Sequence, residues 1–158
     1  MQVRYLATLA VLFLITGTMT SPRVLASCAG MIPLPKKPTS VGGPLAASLQ
    51  GKPVLVDLVA SWCSACQKRA PTMAALKQAY ADKVHFVSFD LSNAATVAAA
   101  QAEAQKLGLG DFLAAHRSQA GLVLIVDPKD GTILASFSSP QTLPDYSQAL
   151  EAALQGSR

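Results

Sequence analysis

Cys63 and Cys66 stand between an apolar run, Val54 to Val59, and a sequence of helical character, Ser64 to Ala81. Two thiols so spaced at a strand-to-helix junction form a redox pair by geometry. The first occupies the helix N-terminus, where unpaired backbone N–H groups and the positive dipole end favour an anion. That lowers its thiol pKa and supplies the thiolate that attacks disulfides. Cys66 follows one turn later, close enough to close a ring with Cys63 or to resolve a mixed disulfide. Asp57 interrupts the apolar run. A carboxyl in such a strand is costly unless it has a partner or a job.

The elements that must position these groups follow from pattern. Pro53 to Val59 is almost unbroken in apolar character, as expected of a central strand covered on both faces. In the helix after Cys63, alanines with Met73, Leu76 and Tyr80 supply an apolar stripe, and Lys68, Arg69 and Lys77 are assigned to the solvated side. Val84 to Leu91 alternates and reads as a second strand, with His85 at its start read as structural. Asn93 is the expected cap of an alanine-rich helix to Leu107, ended by Gly108 and Gly110, and Asp111 to His116 gives a further helical turn. Gly121 to Asp127 is a buried strand, Pro128 to Gly131 a hairpin turn, and Thr132 to Phe137 the return strand. Leu143 to Leu154 closes the chain as an amphipathic helix, and Pro44 to Gln50 opens the domain with a short one.

The stretch VLVDLVASWCSACQKRAP, Val54 to Pro71, resembles the active site of the thioredoxin family, with Trp62 before the first cysteine and Asp57 and Pro71 at the family's offsets. The helix, β, α, β, α, β, β, α order over roughly residues 44 to 155 is similar to that fold. The resemblance therefore implies an α/β class, with a mixed central sheet of about four strands flanked by helices. It also implies a thiol-disulfide oxidoreductase in which Cys63 attacks, Cys66 resolves and Asp57 helps to deprotonate Cys66. Pro71 then kinks the helix, and Trp62, Ser64, Ala65, Ala120 and Gly121 border the substrate. No cofactor is expected beyond a redox-active Cys63–Cys66 disulfide, and no metal. The partners implied are protein disulfides or dithiols, with a membrane electron donor. The LIVDPKDGTIL hairpin resembles that of the membrane-linked redoxins of cytochrome c maturation, which favours a reductant.

The chain departs from the family in three places. Gly121, preceded by Ala120, stands where the family carries a cis-proline. A non-proline cis bond costs about 3 kcal/mol, so a trans bond is expected. Phe86 stands where the family's lysine approaches the buried Asp, and Ser64-Ala65 is neither of the dipeptides that mark thioredoxin or the strong periplasmic oxidant. A binding module is the alternative, either a Cu(I) metallochaperone held by the two thiolates or a redox-inactive adaptor. Asp57 has no evident use in either.

The 158 residues carry a formal net charge of +4, and the basic residues are scattered rather than gathered into a patch with stacking aromatics, which argues against nucleic-acid binding. Met1 to Ala26 reads as an export signal: Arg4, an apolar run from Leu6 to Met19, and a small-residue site at Val24-Leu25-Ala26. Cleavage leaves a charge of +2. Leu25-Ala26-Ser27-Cys28 also resembles a bacterial lipobox, which would make Cys28 a lipidation site. Soluble export, a lipoprotein and an uncleaved membrane anchor are the three fates open to this segment. All place the domain outside the cytoplasm, in the periplasm or an equivalent lumen. Residues 27 to 43 are rich in Pro and Gly and read as a linker, leaving 44 to 158 as the domain.

Overall fold

A computed structural model of the chain describes residues 40–156. The expected leader, the Cys28 lipidation site and most of the linker lie outside the described residues. A 3-10 turn at Ala47–Leu49 precedes β1 (Val54–Val59), α1 (Ser64–Tyr80), β2 (His85–Asp90), α2 (Ala94–Leu107) and α3 (Gly110–His116). The chain then forms a hairpin of β3 (Val123–Val126) and β4 (Ile133–Phe137) and ends in α4 (Leu143–Gly156). The strands form one sheet in the order β2-β1-β3-β4, with β1 parallel to β2 and antiparallel to β3. This is the mixed four-stranded sheet expected from the sequence.

Strand alternation divides the core between the two sides of the sheet. Val54, Val56 and Leu58 of β1 pack with Leu124 and Val126 of β3 and with Ala100, Ala104, Phe112 and Leu113 of α2 and α3. Leu55, Val123 and Ile125 point the other way, onto Met73, Leu76 and Tyr80 of α1 and Tyr146 and Leu150 of α4. β1, paired on both edges and covered on both faces, has no water to meet, which explains its nearly continuous apolar sequence. Asp57 belongs to the α1/α4 side.

The sequence between β2 and β3 forms two helices that pack on each other. Gly108 closes α2 in the left-handed conformation, φ +80°, and its N–H donates to the carbonyls of Ala104 and Gln105. Residues before Pro44 already pair with the hairpin. Ser40 bridges to Thr132, and Val41 is buried with its N–H on the Gly131 carbonyl at 2.8 Å.

Asn93 caps α2 as expected. Its Oδ1 accepts from the N–H groups of Ala95 at 2.9 Å and Thr96 at 3.0 Å, and the Thr96 hydroxyl accepts from the Asn93 N–H at 3.1 Å. Replacing Asn93 by Ala leaves these donors to water, and urea denaturation is expected to show a loss of about 1 kcal/mol. The redox behaviour of the cysteine pair, on another helix, should be unchanged.

Candidate functional site

Cys63 is the N-cap of α1, and its Sγ accepts from the Cys66 N–H at 3.1 Å. The sulfur that was expected to be the attacking one therefore sits on the unpaired amides of the helix start. Cys63 and Cys66 are joined in a disulfide, with Cα atoms 5.3 Å apart. Cys66 Sγ lies 3.8 Å from the Leu58 carbonyl of β1. The loop before Cys63 is fastened from two sides. The Cys63 N–H donates to Ala60 O at 3.1 Å, and the Ser61 N–H donates to Ser92 Oγ at 2.8 Å. Trp62 is 63% exposed, yet its indole Nε1 donates to Ser92 O at 3.2 Å. The Ser92 hydroxyl in turn bonds to the Asp90 carboxylate.

Arg69 does not face solvent as its charge led us to expect. It is 1% exposed, among the most deeply buried side chains described. The reason is its place on α1: Cys66, Arg69, Met73, Leu76 and Tyr80 form one buried stripe at helical spacing. Its Nη2 donates to Asp57 Oδ1 at 2.7 Å, and its Nη1 donates to the Gly121 carbonyl at 2.9 Å. Lys68 and Lys77 are exposed, as expected. Phe86 of β2 sits opposite Leu55 and is half-buried in the apolar cluster on the α1/α4 side. The cation beside Asp57 thus comes from α1.

Two influences compete at Asp57. Burial pushes its pKa above the ordinary value, and the Arg69 guanidinium pulls it down by charge and hydrogen bond, with a smaller pull from Lys77; burial wins. Tyr146 of α4 lies in the same buried region, and burial also raises its hydroxyl pKa. The Tyr146 hydroxyl and Arg69 Nε are buried without a hydrogen-bond partner.

Gly121 occupies the turn that faces the disulfide. Its φ of +99° lies in the region that favours glycine, and a Cβ placed there would stand 3.6 Å from Cys63 Sγ. Its N–H donates to Leu58 O at 2.7 Å while its carbonyl accepts from Arg69, so both backbone groups are engaged inside the protein. Ala120 beside it is half-buried, Ala65 packs on the core and Ser64 is exposed at the helix start. Pro71 lies within α1 on its exposed side.

The thioredoxin family model matches residues 45–105, which span β1, the cysteine pair and most of α2. The match to that family covers part of the chain, and the domain has the thioredoxin fold. Over 51 residues the chain is 43% identical to the thiol:disulfide interchange protein TxlA homolog of Synechocystis sp., a match covering 32% of this chain and 28% of that protein. Over 43 residues it is 42% identical to thioredoxin-like protein HCF164, chloroplastic, of Arabidopsis thaliana, covering 27% and 16%. The chain therefore spans under a third of the length of either relative. Among solved structures, the thiol:disulfide interchange protein of the thioredoxin family from Chlorobium tepidum TLS aligns with a TM-score of 0.53 at 18% identity, over 77% of this chain and 99% of that one. That likeness establishes the fold of this thioredoxin-like domain.

Ser92 and Arg69 are the site residues that sequence reasoning missed. Ser92 carries no signal beyond its place before a helix cap, whereas the helical spacing from Cys66 to Tyr80 already placed Arg69 on the buried side.

The raised Asp57 pKa gives a pH test of stability. A group whose folded pKa exceeds its unfolded value contributes fully at pH below the unfolded value and loses that contribution as pH rises through the folded one. The stability of the wild type relative to Asp57→Asn is therefore expected to fall as pH climbs from 3.8 through the raised value, and denaturant titrations at a series of pH values measure it.

Proposed function

We propose that this domain is a thiol-disulfide oxidoreductase that works outside the cytoplasm and exchanges disulfides with protein substrates, in the reducing direction. The observation that carries the reading is the Cys63–Cys66 disulfide at the N-terminus of α1, with the Asp57–Arg69 pair buried beside that helix. The match to thiol:disulfide interchange relatives over the segment holding these residues supports it.

In the reduced protein, the helix N-terminus stabilises the Cys63 thiolate. That thiolate attacks one sulfur of a substrate disulfide, forming a mixed disulfide and expelling the other substrate sulfur as a thiolate. Cys66 then loses its proton to Asp57 and attacks Cys63 Sγ. The Cys63–Cys66 bond forms, the bond to the substrate breaks, and the second substrate sulfur leaves. Two electrons pass from the cysteine pair to the substrate, and a donor dithiol returns them. The chemistry needs no cofactor beyond the pair. Arg69, which holds the Asp57 carboxylate, follows Cys66 by three residues on the buried stripe of α1, and this placement supports the role of Asp57 as proton acceptor.

Two features support the reducing direction and the location. The leader-like segment before the domain argues for export. The β3–β4 hairpin, through Asp127, Pro128 and Gly131, has the sequence that resembles the membrane-linked redoxins. In that reading the electron donor sits in the membrane, and Cys28 or the leader attaches the domain beside it. A copper-carrying role would give the buried Asp57–Arg69 pair nothing to do.

With dithiothreitol and insulin, the purified domain should accelerate disulfide reduction. Cys63→Ser should abolish the acceleration, and Cys66→Ser should trap a mixed disulfide visible by mass spectrometry. The reduction potential of the pair should fall closer to thioredoxin's value, roughly −270 mV, than to roughly −120 mV for the strong oxidant. A potential at the oxidant end would reverse the assigned direction, and wild-type acceleration no greater than that of Cys63→Ser would remove the activity itself.

A further inference from the structure

Arg69 is the largest fully buried side chain among the described residues. Its charged head ends between two groups from different parts of the chain, Asp57 of β1 and the carbonyl of Gly121 in the turn before β3. A guanidinium can serve both because its donors form a rigid fork, whereas an ammonium is a single compact charge. The second contact reaches the disulfide, since the Gly121 Cα stands where an added Cβ would meet Cys63 Sγ. The Gly121 N–H holds the Leu58 carbonyl, which lies against Cys66 Sγ.

We propose that Arg69 is a positioning residue for the exchange reaction: its guanidinium holds the Asp57 carboxylate and the Gly121 carbonyl at once, so that the buried base and the turn against Cys63 keep one fixed relation to the disulfide. The inference rests on the thiol-disulfide reading of the same site. When Cys66 attacks the mixed disulfide, its proton must go to an ionised Asp57. A neighbouring cation favours that ionised form, and a fixed Gly121 keeps the substrate-facing wall in place.

The groups that face Asp57 are Arg69 and Lys77 from α1 and Tyr146 from α4. Its strand partners, Ser88 of β2 and Val123 of β3, carry no titratable side chain. Tyr146, raised above its ordinary value, stays neutral through the neutral range. Removal of Arg69 therefore leaves Lys77 as the one cation among these groups.

Two variants separate charge from bridging. In reduced protein, the Asp57 carboxyl is titrated by its 13C chemical shift, and resolution of a mixed disulfide is followed in single turnovers across pH. Arg69→Met should move both midpoints upward together by about one pH unit, a loss of about tenfold in ionised Asp57 below the new midpoint. It should also raise the KM for insulin. Arg69→Lys should restore the midpoints but leave the KM raised, because lysine lacks the two separate nitrogens with which Arg69 reaches the two acceptors. Unshifted midpoints in Arg69→Met overturn the charge role, and a shifted midpoint with a wild-type KM overturns the bridge to Gly121. If Arg69→Met does not fold, Arg69→Lys decides alone, and a wild-type KM there overturns the bridge. A wild-type protein inactive on insulin overturns the oxidoreductase reading and this inference together, whereas an active wild type with an unchanged Arg69→Met overturns only the inference.

Discussion

A guanidinium and a carboxylate withdrawn from water each cost several kcal/mol, and their mutual attraction recovers this only where geometry is good and the remaining donors find acceptors. Arg69 and Asp57 meet at 2.7 Å, with Arg69 almost fully enclosed and Asp57 retaining a little access. The pair joins α1 to β1, and the second arm of the guanidinium joins both to the turn before β3. Much of the domain's interior could be repacked with other apolar side chains at modest cost. This pair could not: the loss of either partner would strand the other as an unpaired buried charge. The residues that constrain the fold here are also those nearest the chemistry.

That coupling explains how the disulfide is held. Cys63 is fixed by its capping role and by the Ala60 carbonyl, Cys66 by the first turn of α1, and Gly121 by Leu58 on one side and Arg69 on the other. Every one of these contacts uses backbone groups or buried side chains, so thermal motion of the surface changes them little. The helix N-terminus presents its first turn to one sulfur, that of Cys63, which accepts from the Cys66 N–H. The second sulfur lies beside a strand carbonyl, 3.8 Å from Leu58 O. The asymmetry between the two thiols thus follows from where each falls on one helix.

Most of this was legible in the sequence. The apolar runs of β1 and β3, the alternation of β2, the cap at Asn93, the glycine after α2 and the turn before β4 carry local signals, and these elements form with ends shifted by a residue or two. The cysteine pair was legible from its spacing at a strand-to-helix junction and Asp57 from its break in an apolar run, whereas Trp62 and Pro71 were picked out only by the family resemblance. The reversed orientation of Arg69 came from reading a charge as a surface residue, although the spacing 66, 69, 73, 76 and 80 placed it on the buried stripe. Charge and periodicity made opposite claims there, and periodicity won because a buried acid was waiting across the interface. The Ser92 tether was not legible, since it depends on two loops meeting from the ends of adjacent parallel strands.

The same contacts define what a substrate can meet. Gly121 has already used its N–H and its carbonyl inside the protein, so it offers a partner shape rather than hydrogen bonds. Its missing side chain matters as well, because an added Cβ would stand 3.6 Å from the Cys63 sulfur. Next to Cys63 in the chain, Trp62 presents an exposed indole whose N–H is tied to Ser92, so that the ring cannot swing away without breaking that bond. In the proposed exchange reaction, a substrate disulfide would meet Cys63 beside the glycine turn and the tethered indole.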